Sequence, residues 1–337
     1  MWQHIQGHDS ILNRFRQAFQ RGRLAGSFLF VGPPGVGKRR FAFALATALL
    51  CKQQNHLSPC GECDSCKLFG NMDPTDVDFN ADPFLPPHPD LYYIAKPPDK
   101  SFLPMELLVG DKEHRGKAGL SYNISRTPFL GNRKAAIIND ADFFNAEGAN
   151  ALLKTLEEPP TDAVLILIGT STAKQLPTIK SRCQIVRFSP LPTEVLSSIL
   201  VRTGIAASAE QGERWAMQAE GSLDQARELA DGDVETLRSE LLKSLTAPRW
   251  DAVGLAAKLN GLVEELGKDA PPRRRRTRLI FGLAIEHFRS EMRADASSDT
   301  ARRSARRLER TLDAVEQVDR NANLPLVIET WAVAMGG

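Results

Sequence analysis

The sequence predicts a doubly wound α/β domain followed by helices alone, and three observations carry that expectation. Short apolar runs at residues 28–31, 135–138, 164–168 and 184–188 are separated by helix-forming segments rather than hairpin turns. The first run ends in a glycine-rich turn, Gly32 to Gly37, that opens onto a helical stretch. Beyond Pro190 and Pro192 the apolar residues recur at helical spacing, with no further convincing strand.

Each element has a local reason. Phe28-Leu29-Phe30-Val31 is apolar without alternation, as a strand buried on both faces must be. Residues 38–50 are rich in Ala, Leu and Phe and contain neither Gly nor Pro, which predicts a helix. Cysteines between 51 and 66 then interrupt regular structure. From 71 to 100 prolines and aspartates dominate and periodicity fades, which predicts a long irregular loop or partly disordered insertion with one short strand candidate at 91–95. Ala135-Ala136-Ile137-Ile138 is a second buried strand. Residues 146–158 form a helix stopped by Pro159-Pro160. The expected domains are 1–190 (α/β, with a cysteine module at 51–66 and an irregular insertion at about 71–130), a small helical domain at 191–231, and a larger helical domain at 232–337.

Composition narrows the function classes. A chain of 337 residues is too long for one ordinary domain, and 42% hydrophobic with 25% charged residues is the balance of a globular protein with real cores. Lys plus Arg number 43 against 41 acidic residues, a net charge of +2 that excludes a uniformly basic nucleic-acid coat. The start lacks a signal-peptide pattern, and the longest apolar run, residues 41–51, is too short to span a bilayer. A cytoplasmic setting without membrane contact is expected.

Gly32-Pro33-Pro34-Gly35-Val36-Gly37-Lys38 has the spacing of a phosphate loop. Gly32, Gly35 and Gly37 let backbone N–H groups curl around phosphate oxygens, and Lys38 would reach the β- and γ-phosphates. The pattern next requires a Ser or Thr hydroxyl for Mg²⁺, but Arg39 stands there. The acidic pair expected after the second strand is Asn139-Asp140. Two weakened ligands at one ion predict ATP or ADP binding without hydrolysis at most. Cys51, Cys60, Cys63 and Cys66, spaced C-x8-C-x2-C-x2-C, read as a closed structural zinc site, with a redox pair or an iron–sulfur cluster as alternatives. Cys183 lies outside the cluster and reads as a buried apolar contact.

These features, together with Ala149-Asn150-Ala151-Leu152-Leu153-Lys154-Thr155-Leu156-Glu157-Glu158-Pro159-Pro160 and Ser181-Arg182-Cys183, resemble the bacterial clamp-loader subunits of the AAA+ class, most closely the delta prime branch of DNA polymerase III. The likeness spans residues 1–230 and resumes at Arg320-Asn321-Ala322-Asn323, similar to the family's C-terminal collar. It implies an AAA+ P-loop domain with an inserted zinc module, a helical lid and a helical collar. It places the family's first sensor near Thr170 or Ser171 and its second in 221–224, where this chain carries Asp224.

The resemblance further implies a non-hydrolysing member of the clamp-loader ring, without catalysis of its own, inside a DNA-directed DNA polymerase holoenzyme. Arg182 would then be an arginine finger given in trans to a neighbour's triphosphate. The implied partners are ATP-binding tau/gamma-type and delta-type subunits, the sliding clamp and, through the complex, primed DNA. Two other readings stand beside it: an autonomous P-loop ATPase using Lys38 and Asp140, and a zinc-dependent nucleic-acid module on a vestigial ATPase body. The basic runs at 273–276 with Arg278, and at Arg302, Arg303, Arg306, Arg307 and Arg310, lack interleaved aromatics and read as a solvated or subunit-contacting face.

Overall fold

A computed structural model of the chain describes residues 2, 5–53, 57–69, 86–97, 100–230, 232–247, 249–267, 270–294, 299–320 and 322–336. It divides into two compact units, Met1–Ala226 and Arg227–Gly337. The first contains α1 (Asp9–Gln20), β1 (Ser27–Val31), α2 (Lys38–Leu50), α3 (Asp64–Phe69), β2 (Leu91–Ile94), α4 (Met105–Val109), α5 (Gly119–Ser125), β3 (Lys134–Ile138) and a 3-10 turn (Ala141–Phe143). There follow α6 (Ala146–Glu157), β4 (Ala163–Gly169), α7 (Pro177–Lys180), β5 (Gln184–Arg187), α8 (Thr193–Arg202), α9 (Ala209–Gln218) and α10 (Leu223–Ala230), the last running across the division.

The five strands pair in the order β2-β3-β4-β1-β5, all parallel. β1 is flanked by β4 and β5, both far along the chain, so the connections must cross over the sheet and cover both its faces. Alternation then sorts the core. Phe28 and Phe30 of β1, Ile137 of β3 and Val164, Ile166 and Ile168 of β4 face one layer with Phe15 of α1 and Phe41, Leu45 and Leu49 of α2. Leu29, Val31, Ala136, Ile138, Leu165 and Leu167 face the other, with Leu108, Leu120, Ile124, Leu152, Leu156 and Ile179. Phe15, Phe28, Phe30, Phe41 and Phe188 pack in tilted and edge-to-face pairs at ring-centroid distances of 4.9 to 6.3 Å.

The strand candidate at 91–95 is β2, and α2 spans the predicted 38–50. Residues 70–85 and 98–99 lie outside the described residues. The rest of the stretch expected to be irregular holds β2, α4 and α5. At five and seven residues, the two helices are too short for periodicity to reveal; they form because Leu108, Leu120 and Ile124 are buried against the sheet. α1 also escaped the sequence reading.

The second unit contains α11 (Gly232–Leu245), α12 (Ala252–Glu264), α13 (Ala270–Ala294), α14 (Asp299–Asp319) and α15 (Leu324–Ala334). Pro271-Pro272 fall in the first turn of α13, where the missing N–H groups are not needed. Ile280, Phe281, Phe288, Val318, Ile328 and Trp331 are buried, and the Trp331 indole N–H donates to the Thr311 hydroxyl at 3.0 Å. Several basic residues have structural work here. Arg274 donates to the carbonyls of Val318 (2.9 Å) and Ala322 (3.4 Å), capping the end of α14, Arg278 pairs with Asp319, and Arg307 lies over the Trp250 ring. Among the described residues no helix is long and apolar enough to cross a membrane.

Candidate functional site

Because every strand is parallel, all their carboxyl ends meet at one edge, and the loops that follow them converge. The glycine-rich loop follows β1 there. A side chain at Gly32 would place its Cβ 2.3 Å from the Phe188 carbonyl oxygen, so only glycine fits. Gly37 adopts a left-handed conformation (φ +95°) and caps α2, aiming that helix's N-terminus at the loop. The buried His8 ring donates to the Val36 carbonyl at 2.6 Å, and burial lowers the imidazole's proton affinity. His8 braces the loop from outside, a role with no local sequence signal.

The buried Lys38 ammonium donates to the Gly32 and Pro33 carbonyls, each at 2.6 Å. Desolvation brings its pKa down to about 8, against the opposing pull of the Asp142 and Asp224 carboxylates. After β3, Asp140 takes a left-handed conformation (φ +60°) and accepts from the Lys96 backbone N–H at 3.3 Å. Burial pushes its carboxyl upward, while the Asn139 side chain and the charges of Lys96 and Arg39 work the other way. Arg39 also lies against Tyr93. Where the phosphate-loop pattern has a magnesium-binding hydroxyl, this chain has a guanidinium whose charge is felt by the remaining carboxylate. These residues do not fit a triphosphate-bound magnesium ion.

Asp142, which sequence reasoning missed, is the acid tied into the loop cluster. It accepts from the Thr170 N–H (2.8 Å) and hydroxyl (2.6 Å) and from the Gln175 amide. The only hint was its place two residues after Asp140. Thr170, one of the two sensor candidates, therefore binds Asp142; Ser171 instead accepts from the Lys174 N–H at 3.3 Å. On the other side, the segment 221–224 packs onto the loop: the Leu223 N–H donates to the Gly35 carbonyl at 3.0 Å. A Cβ on Gly35 would lie 2.2 Å from the Ser222 hydroxyl and 2.8 Å from the Asp224 nitrogen.

Arg182 is not part of this cluster. It precedes β5, so it lies at the amino edge of the sheet, across the length of a strand from the loop that follows β1. Its Nε donates to Glu157 at 2.6 Å, Nη2 grips the same carboxylate, and Nη1 donates to the Thr178 carbonyl (3.1 Å) and the Ser181 hydroxyl (3.0 Å). Cys183 is buried beside it in the second core layer, and burial pushes its thiol up to about 12.

Cys51, Cys60, Cys63 and Cys66 come together at this amino edge, after α2. Their sulfurs all lie within 4.8 Å of one another, with Cys51–Cys63 and Cys60–Cys66 each at 3.9 Å. A tetrahedron of sulfurs around zinc has edges of about 3.8 Å, given Zn–S bonds near 2.3 Å. The donor set and its spacing fit a structural zinc ion. Backbone N–H groups of Cys60, Cys63 and Cys66 point at the sulfurs of Cys51, Cys60 and Cys63 at 3.3 to 3.4 Å, while burial raises the Cys51 and Cys66 thiols. Burial alone would raise the Cys63 thiol, but N–H donation by Cys66 and Lys52 brings it to about 6. The cluster is braced by Ser65, hydrogen-bonded to the buried His88 at 2.6 Å, and by Asp90, fully buried, which accepts from the N–H groups of Phe129 (2.6 Å), Leu130 (2.8 Å) and Gly131 (3.0 Å).

A family model described as DNA polymerase III, delta subunit, matches residues 7–192, more than half the chain. DNA polymerase III subunit delta' of Pseudomonas aeruginosa is 30% identical over 252 residues, covering 70% of this chain and 68% of that protein. The chain belongs to the delta prime family of clamp-loader subunits. The corresponding subunit of Bacillus subtilis is 29% identical over 196 residues, 58% of this chain, and there the match spans about half of the relative's length (52%). A gamma subunit-related protein from Thermotoga maritima superposes with a TM-score of 0.51 at 18% identity, covering 96% of this chain and 98% of that one. The family match, the all-parallel sheet and that likeness in fold together support the AAA+ fold.

Proposed function

We propose that this chain is a non-hydrolysing subunit of a bacterial clamp loader that lends Arg182 to the triphosphate of an ATP-binding neighbour. The observation that carries this reading is the separation of two cations. Lys38 is at the carboxyl edge of the sheet, held by its own loop's carbonyls, while Arg182 is at the amino edge, out of reach of that loop. A guanidinium so placed can serve only a phosphate outside its own P-loop. Arg39 beside Asp140 supports the other half, since a like charge occupies the neighbourhood where a metal would balance phosphates.

The 191–231 helices would then be the family's lid, packed onto Gly35, and the helices beyond 232 its collar. ATP or ADP could bind at Gly32, Gly35, Gly37 and Lys38 only after Lys38 exchanged its carbonyl partners for phosphate. Cys51, Cys60, Cys63 and Cys66 would hold zinc as a closed structural site. The partners would be tau/gamma-type and delta-type subunits, the sliding clamp and primed DNA, in a cytoplasmic complex. Of the two competing readings, the autonomous ATPase is disfavoured because Arg39 stands in place of the hydroxyl that would share the metal with Asp140.

The isolated chain is expected to hydrolyse no ATP above background. Added to its ATP-binding partners with clamp and primed DNA, it should raise turnover, and Arg182→Ala should remove most of the gain, up to the roughly 10³-fold or more that a finger supplies. Steady turnover by the purified chain, or full stimulation by Arg182→Ala, would reject the proposal.

A further inference from the structure

Arg182 is held in a specific way, and the residue that holds it is Glu157, the last residue of α6. A guanidinium has five N–H donors. Four are committed here: one on Nε and one on Nη2 to the Glu157 carboxylate, and two on Nη1 to the Thr178 carbonyl and the Ser181 hydroxyl. The two edges are held unequally. The Nε–Nη2 edge faces a charge and makes charge-assisted bonds, whereas Nη1 meets two neutral acceptors at 3.0 to 3.1 Å. An incoming phosphate displaces the neutral partners far more readily than the carboxylate.

Stability does not account for Glu157. The Arg182 side chain is 28% exposed and that of Glu157 is 49% exposed, so the pair is of the surface kind that contributes little to folding. A carboxylate in the last turn of a helix also opposes the helix dipole. Pro159-Pro160 end α6 at this point and fix where that carboxylate sits, while the buried Leu156 anchors the turn beneath it. What the contact does supply is orientation of a long side chain that would otherwise sample many rotamers.

We propose that Glu157 is the positioning residue for Arg182: it keeps the Nε–Nη2 edge and presents the Nη1 edge to a neighbouring subunit's triphosphate. This rests on the finger role proposed for Arg182. Thr178 and Ser181 are interim acceptors whose places the phosphate oxygens take.

The test uses the reconstituted complex with its ATP-binding subunits, clamp and primed DNA, comparing wild type, Glu157→Gln, Glu158→Gln, Arg182→Ala and the Glu157→Gln/Arg182→Ala double variant. Glu157→Gln should lower the kcat that this subunit adds by about tenfold, the orienting effect of one charge-assisted hydrogen bond, with the KM for ATP unchanged. Glu158→Gln, one residue away and also exposed, should leave kcat unaltered. The double variant should match Arg182→Ala, because a positioner has nothing to position once the guanidinium is gone. Gel filtration of each variant complex separates loss of assembly from loss of turnover. A Glu157→Gln complex as fast as or faster than wild type, or one that loses activity equally in the Arg182→Ala background, overturns the inference while the finger reading stands. Full activity in Arg182→Ala removes the finger reading and the inference with it.

Discussion

Lys38 shows how much one buried charge decides. Folding removes its ammonium from water and returns two backbone carbonyls and two flanking carboxylates, and the balance still falls short, leaving its pKa at about 8 rather than the usual 10.5. Below pH 8 the folded and unfolded forms both carry the proton, and the cost of burial is present in full. Between pH 8 and 10.5 the unfolded chain binds more protons than the folded one, so stability rises with pH across that window. The gain should be on the order of 3 kcal/mol at its upper end. Urea unfolding at pH 7 to 10 should show the rise in wild type and its loss in Lys38→Met; the difference between the two curves isolates Lys38 from the thiols that titrate nearby. Equal slopes would mean that the ammonium is better solvated than its burial implies. The same loop explains why Lys38 was legible in the sequence and Asp142 was not. Lys38 belongs to a contiguous pattern, whereas Asp142 reaches its partners, Thr170 and Gln175, only because β3 and β4 end side by side.

Two elements depend on close approach. The segment 221–224 lies against the glycine-rich loop only because Gly35 has no side chain and accepts a positive φ of 73°. Gly35→Ala should destabilise the first unit by about 2 kcal/mol through backbone strain and the clash with Ser222, measured by denaturant unfolding. A neutral substitution would show that the segment moves aside without cost. The cysteine element makes a different demand. Its four ligands come from the end of α2, a turn and the start of α3, and none of those pieces is long enough to hold its shape alone. One zinc per chain is expected by elemental analysis, with a colourless protein. Chelation should lower the melting temperature by several degrees, as should Cys60→Ser. A brown protein carrying iron would replace zinc with the cluster alternative. The spacing of the cysteines predicted a metal site from sequence; the gathering of their sulfurs within 4.8 Å, and the brace from Ser65, His88 and Asp90, required the fold.

At the scale of the whole molecule, the chain divides into two compact units, and the first carries a core on each face of its sheet. A chain ending after residue 231 should therefore keep the circular dichroism of the α/β unit and its zinc stoichiometry; loss of both would show that the sheet and its two helical layers are not self-sufficient. Most of this architecture was readable beforehand. Continuous apolar runs such as 164–168, too short for helices and bounded by turn residues, read as strands covered on both faces, and the glycine-rich turn marks where a strand passes into a helix, so class, strand positions and the glycine-rich loop follow from local chemistry. α1, α4 and α5 did not, because short helices take their stability from the sheet they cover rather than from their own pattern. The sequence alone also determined that Arg39 stands where the phosphate-loop pattern has a Ser or Thr. Only the tertiary structure decided that Lys38 and Arg182 lie at opposite edges of one sheet, and that Glu157 holds the second of them. Those are facts of strand direction and crossover, which bring together residues far apart in the chain and separate others, and no local run of residues encodes them.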